Sequence, residues 1–201
     1  ALEGTKAHQK VQKSYGPEYK KEVTLKHSIN YDDFLIQLEG RADGIFESPE
    51  EVIIDEIKST TKDLEDIEED YNELHWAQGK AYGYIYCYQN NLYSITVQLT
   101  CFHIETEEIK TFQRKFTFKE LEEFFLPIVD EYIKWARTTF YWGEIREKSI
   151  KKLDFPFESY RKGQRELAVA VYKTIEEGKK LFVQPPTGIG KTISTLFPSI
   201  K

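Results

Sequence analysis

Methionine is absent from this chain of 201 residues, and cysteine nearly so. Two thiols, Cys87 and Cys101, cannot supply the four thiolates of an iron-sulfur cluster, so none is expected from this chain. Cys87 lies at an aromatic helix end and Cys101 closes the apolar run that starts at Ile95, which reads both as small core residues. Long apolar runs are lacking too. No stretch approaches the roughly 20 residues of a membrane span, and there is no signal-peptide pattern, so a soluble cytoplasmic protein is expected. Nor is there an excess of positive charge. A formal net charge of −6 excludes a uniformly basic surface and confines any nucleic-acid contact to local patches. The candidates are Lys6, Lys10 and Lys13, then Lys110, Arg114, Lys115 and Lys119, then Arg146, Lys148, Lys151 and Lys152. With 40% hydrophobic residues the chain can bury a substantial core and hold more than one domain. The missing initial methionine, and a chain that stops a few residues into a helix, suggest a piece of a longer protein or a sequence from which residues have been dropped.

What is present centres on Glu56-Ile57-Lys58, at the polar end of the apolar run Val52-Ile53-Ile54. Side chains alternate across a strand, so Glu56 and Lys58 share a face with Val52 and Ile54, while Asp55 and Ile57 share the other. Phe34 to Phe46 also reads as extended, and Glu47-Ser48-Pro49-Glu50-Glu51 has turn composition, so a hairpin is expected that sets Asp43 roughly opposite Asp55 and Glu56. Two ionised carboxylates about 4 Å apart repel by roughly 4 kcal/mol at an effective dielectric near 20. Such a pair shares a proton or holds a cation. With Lys58 on the same face, hard oxygens would hold magnesium or manganese and the ammonium would orient an attacking water. The alternative is a surface hairpin carrying an Asp/Glu/Lys salt-bridge cluster.

A helix is expected over Tyr71 to Tyr88, with Gln78 and Tyr82 one turn apart on one face and small residues Ala77, Gly79, Ala81 and Gly83 letting it lie close to a sheet. Near the start, Gly4 to Gln12 reads as a short helix capped around Thr5 and carrying His8. The order Gly4-Thr5-x-x-His8, Gly40-x-x-Asp43-Gly44, Asp55-Glu56-Ile57-Lys58 and Gln78-x-x-x-Tyr82 resembles the RecB-like branch of the PD-(D/E)xK nucleases. That branch includes the nuclease domain of RecB and the CRISPR adaptation exonucleases. The resemblance covers roughly residues 1 to 140. It implies His8, Asp43 and Glu56 as metal ligands, with the Ile57 carbonyl adding another. It also implies Lys58 as the catalytic lysine, and Gln78 with Tyr82 positioning the DNA strand and that lysine. Some members carry a four-cysteine cluster that two thiols cannot build. The acidic stretch Asp63 to Asp70 reads as a solvated face, with a mobile flap that repels duplex backbone as the sharper alternative.

Further on, Tyr93 to Phe102 and Ile109 to Phe118 alternate like paired strands. Thr117-x-x-Glu120 opens a helix as a capping box, and apolar residues from Leu121 to Ala136 recur at helical spacing around Pro127, a core-forming stripe. Regularity is lost over residues 141 to 156, and Ser149 to Pro156 reads as a linker or an entry loop. Tyr160 to Gln164 then leads into a helix through Glu177, which Gly178 ends. A short buried strand is expected at Leu181-Phe182-Val183, followed by Pro185-Pro186-Thr187-Gly188-Ile189-Gly190-Lys191-Thr192 and another helix. This pattern is a P-loop: backbone amides cradle phosphates, Lys191 meets the outer phosphates and the Thr192 hydroxyl reaches magnesium. Pro185 departs from the glycine of the general pattern. With Arg161 and Gln164 upstream, the segment resembles the start of a DinG/XPD-like superfamily 2 helicase, which implies ATP as its nucleotide and Gln164 reading the adenine edge.

The expectation is therefore an α/β protein with a restriction-endonuclease-like mixed sheet flanked by helices. Residues 1–150 would form the nuclease domain and 151–201 the amino-terminal part of a helicase motor. Its partner would be DNA, single-stranded or with free ends, together with the remainder of the motor in a longer parent. The competing expectations are a non-cutting DNA-binding module that loads the helicase, and an ATP-driven remodeller with the nuclease as accessory.

Overall fold

Strand pairing accounts for most of the first part of the molecule, and helices for the rest. The computed structural model describes residues 2–31 and 33–201. It separates into two compact units, one ending at Glu131 and one beginning at Tyr132. In the first, helix α1 (Leu2–Ser14) precedes strands β1 (Tyr19–Tyr31), β2 (Phe34–Glu47) and β3 (Val52–Thr60). Helix α2 (Glu73–Asn90) then leads to β4 (Ser94–His103), β5 (Ile109–Thr117) and the start of α3 (Phe118–Lys152). The five strands form one mixed sheet in the order β1-β2-β3-β4-β5. All neighbours are antiparallel except β3 and β4, which are parallel, as a crossover through a helix allows. The expected mixed α/β sheet flanked by helices is thus present, and no helix among the described residues is long and apolar enough to cross a membrane.

β3 is the central strand, and the core follows it and its parallel neighbour β4. Ile53, Ile54 and Ile57 on β3 and Ile95, Val97 and Leu99 on β4 are buried. α1 covers one face, where Ala7 and Val11 meet Ile57 and Phe102. α2 covers the other, where Trp76 meets Val97 and Leu99. The expected small residues of α2 matter here: a Cβ on Gly79 would collide with Val97 Cγ1, so only glycine lets the helix sit this close to β4. Cys87 and Cys101 are buried and unbridged, as expected of core residues.

Several boundaries differ from the sequence expectation. α1 already begins at Leu2, so Thr5 lies inside the helix and is not its cap. Residues 141 to 152 belong to α3, although they lack apolar periodicity. Helix formers and i,i+4 pairs such as Glu144 with Lys148, 3.0 Å apart, suffice to continue it in solvent. The capping box is present, with Glu120 Oε2 accepting from the Thr117 amide at 2.7 Å. β1 is an additional strand that the sequence reading did not include.

The second unit holds the rest of α3, then α4 (Gln164–Glu176) and α5 (Lys191–Ile200), which lie against each other. Leu181-Phe182-Val183 is not a strand: the segment is irregular and Phe182 is 92% exposed. A single run of β-formers becomes a strand only beside another, and none of the described residues of this unit supplies one.

Candidate functional site

The hairpin places the candidate carboxylates by running out of ladder. β2 and β3 pair from Glu47↔Val52 to Gly44↔Asp55 and then part. The freed Ile57 amide donates instead to Asp43 Oδ2 at 2.8 Å, which turns the Asp43 side chain against β3. His8, on α1, puts Nδ1 3.1 Å from Asp43 Oδ1. The hydrogen bond to this carboxylate raises the His8 pKa above its ordinary value, against the opposing effect of burial.

Glu56 points to the α2 face and is 1% exposed. Its Oε1 accepts from Lys58 Nζ at 2.5 Å, while Oε2 is buried with no hydrogen-bond partner among the described residues. Desolvation pushes its pKa up to about 7, with the Lys58 ammonium pulling the other way. Lys58 Nζ also donates to Gln78 Oε1 at 3.1 Å, and Gln78 Nε2 to the Tyr82 hydroxyl at 3.3 Å. Tyr82 packs on Gly40, where a Cβ would fall 2.5 Å from its ring. His8 and Asp43 therefore form one contact group, and Glu56, Lys58, Gln78 and Tyr82 a second, joined through the Ile57 backbone. Among the described residues, no group of three or more His, Cys, Asp or Glu side chains is gathered as a ready metal cage. In this arrangement Asp43 is engaged by His8 and the Ile57 amide, and Glu56 by Lys58.

The opposite face of β3 carries a polar chain that the sequence reading missed. Asp55 is fully buried and accepts from the Tyr15 hydroxyl at 2.5 Å and from Thr100 Oγ1 at 2.6 Å. Burial raises its pKa, and these two donors counter that. His75 was also missed. It stands one turn before Gln78 on α2, and burial, with a smaller contribution from Lys58, lowers its pKa. Its spacing of three from Gln78 was the available signal. The acidic stretch is a loop whose carboxylates are exposed and whose Ile67 is buried as an anchor. Arg114 pairs with Glu69 and Glu73 across it.

In the second unit, Gly188 and Gly190 adopt positive φ of 85° and 83°, and α5 starts at Lys191. Arg161 Nη1 donates to the Gly188 carbonyl at 2.5 Å. Gln164 is buried, its Oε1 accepting from the Arg161 amide at 2.9 Å, and its Nε2 sits where a Cβ on Gly190 would strike it. The loop thus rests on Arg161 and Gln164, leaving Thr187, Lys191 and Thr192 exposed at a helix amino terminus, where backbone amides favour anions.

No family model matches the chain. A probable ATP-dependent helicase of Methanocaldococcus jannaschii is 34% identical over 58 residues, a stretch that covers 29% of this chain and 8% of that protein. This chain therefore matches less than a tenth of the length of that relative. The solved structure described as the crystal structure of SSO0001 aligns with a TM-score of 0.40 and 18% identity, over 60% of this chain and 55% of that one.

Proposed function

We propose that the first unit is a divalent-metal-dependent deoxyribonuclease that hydrolyses phosphodiester bonds in DNA that is single-stranded or has free ends. The observation that carries this reading is Glu56, a buried carboxylate whose Oε2 has no partner among the described residues. An unsatisfied buried oxygen of this kind is costly unless a cation or donor completes it. The donor chemistry suits magnesium or manganese: Asp43, Glu56 and the Ile57 carbonyl offer hard oxygens, and the His8 imidazole suits manganese in particular. Such a cation, when bound, polarises a phosphate and makes a hydroxide available near neutral pH.

The chain's own residues supply the rest. Lys58, fixed between Glu56 and Gln78, presents its ammonium beside the carboxylates, where it orients a water for in-line attack. Gln78 and Tyr82 hold that lysine in place through their own hydrogen bond. His8 and the Ile57 amide hold Asp43.

One observation favours a second reading, a non-cutting module that loads a helicase on DNA. The contacts of Asp43 with His8 and of Glu56 with Lys58 are already formed, and no cage stands open among the described residues. Incubation with end-labelled single-stranded and duplex DNA in manganese, magnesium or chelator separates the two. Degradation only with a cation is the nuclease result. DNA binding without cleavage under every cation selects the module.

Residues 151–201 fit the amino-terminal part of an ATP-driven helicase motor. The two left-handed glycines and the packing of Arg161 and Gln164 on the loop support this, and the chain's 58-residue similarity to a probable helicase is compatible with it. ATP with magnesium would meet Lys191 and Thr192. Turnover needs groups held rigidly around the nucleotide, and among the described residues no strand pairs with Leu181 to Val183. The purified chain is therefore expected to turn over no ATP. Turnover that Lys191→Ala abolishes would overturn this.

A further inference from the structure

Gln12, Glu22 and Arg41, to which the nuclease reading gives no role, form a second cluster beside Asp43. The β1–β2 register runs from Lys21↔Gly44 to Val23↔Ala42, passing over Glu22 and Asp43. Glu22 there takes a left-handed backbone, φ 53°, rarely adopted by a residue with a side chain. The Asp43 carbonyl is taken instead by Gln12 Nε2 at 2.9 Å, and the same nitrogen donates to Glu22 Oε1 at 2.7 Å. The other oxygen, Oε2, receives Arg41 Nε at 2.6 Å. Gln12 is buried, one turn after His8 on α1. Thr5, His8, Gln12, Glu22, Arg41 and Asp43 thus line one cleft of about 670 Å³.

Among the described residues, Arg41 is the one arginine or lysine lining this cleft, and its side chain is 67% exposed. An ion pair this exposed contributes little to folding, so stability does not account for it. Its planar fork matches a phosphate as it matches the Glu22 carboxylate, so the two compete for it. Alone, the carboxylates Glu22 and Asp43 would repel a polyanion, and Arg41 offsets one of them.

We infer that Arg41 grips a backbone phosphate of the nucleic-acid strand lying in the cleft beside Asp43, and that Glu22, steadied by Gln12, holds Arg41 back until that strand arrives. The inference rests on the nuclease reading above for its choice of ligand. Arg41 leaves Glu22 for the phosphate, so the two side chains act on binding in opposite directions.

The test is fluorescence anisotropy of an end-labelled single-stranded oligonucleotide with the full chain, across a salt series, with calcium in place of magnesium. Arg41→Ala should weaken binding roughly ten-fold and reduce the salt slope by about 0.7, one phosphate contact on a single strand. Arg41→Lys should fall between it and the parent, because charge remains and the fork is lost. Glu22→Gln should tighten binding by about three-fold, the scale of one exposed ion pair. Unfolding midpoints of all three should stay within about 2 °C of the parent. Unchanged affinity in Arg41→Ala overturns the inference, as does weakening in Glu22→Gln. Manganese-dependent cleavage by the parent is read separately. Cleavage with an unshifted Arg41→Ala leaves the nuclease standing and sinks the phosphate grip, whereas opposite-signed shifts without cleavage do the reverse.

Discussion

In the first unit, His8, Asp43, Glu56, Lys58, Gln78 and Tyr82 come from α1, β2, β3 and α2, and tertiary packing brings those four elements together. In the second, Thr187 to Thr192 form one continuous loop and helix start, and Arg161 and Gln164 reach it from a single segment upstream. The difference lies in what supports each. The dispersed constellation stands on a continuous sheet of paired strands with buried Ile54, Ile57, Val97 and Leu99 beneath it. The local one has glycine geometry and packing around its loop, but among the described residues no strand pairs with Leu181 to Val183. A local motif is easy to read and says little about its scaffold. A scattered one is hard to read and, once assembled, depends wholly on it.

The largest effect that would break this comparison is loss of chemistry without loss of fold. Glu56→Gln and Asp43→Asn are each expected to lower metal-supported DNA degradation by roughly a hundred-fold or more, on the scale of removing a group that acts on the reacting centre. Circular dichroism should report a folded chain in both. Lys58→Ala should abolish cutting yet keep metal affinity in calorimetry, because lysine is not a ligand. His8→Ala should hurt manganese-supported activity most. Unchanged rates in either carboxylate variant would mean that the cluster is a salt-bridge network and nothing more.

Legibility in the sequence follows the same division. The hairpin of β2 and β3 was readable because strand period and turn chemistry agree, and the register of Gly44 with Asp55 puts Asp43 where alternation predicted. β4, β5 and the capping box of α3 were readable for similar local reasons. β1 was not read, although Val23, Leu25, His27 and Ile29 alternate with polar residues. Lysines and glutamate at its start, natural on a half-exposed edge strand, masked that signal. Gln12 and Arg41 were beyond reach, since their roles arise from a ladder that passes over Glu22 and Asp43. The strand expected at Leu181 failed for the converse reason, because β-propensity needs a neighbour.

A smaller effect sharpens the contrast in packing. Gly79→Ala gains helix propensity of about 1 kcal/mol but drives a methyl into the buried, β-branched Val97, an overpacking cost of roughly 1–3 kcal/mol. A net fall in the unfolding midpoint is expected. Gly143, in the part of α3 that belongs to the second unit, has open space for 4 Å around the point where a Cβ would stand, and no positive φ. Gly143→Ala should therefore stabilise by about 0.5–1 kcal/mol. Thermal melts of the two variants should move in opposite directions, and parallel shifts would show that α2 is looser on β4 than its contacts imply.

The smallest effect concerns pH. All four histidines lie in the first unit, so titration near pH 6.5 reads that unit alone. His27 is buried on β1 with Tyr84 and Tyr88 against its ring, centroids 5.6 and 4.6 Å away. Burial lowers its pKa, because the charged form loses water and gains no acid. The unfolded chain then binds more protons than the folded one between the lowered pKa and 6.5. Stability contributed by neutral His27 is accordingly complete above pH 6.5 and is lost as pH falls through the folded value. His8 carries the opposite shift and works against this slope. His27→Phe keeps an aromatic ring between the two tyrosines and removes the titration. Denaturant melts from pH 5 to 8 should show a shallower loss toward acid in the variant than in the parent. Identical slopes would mean that His27 is hydrated in the folded chain and that the edge of the sheet opens near β1.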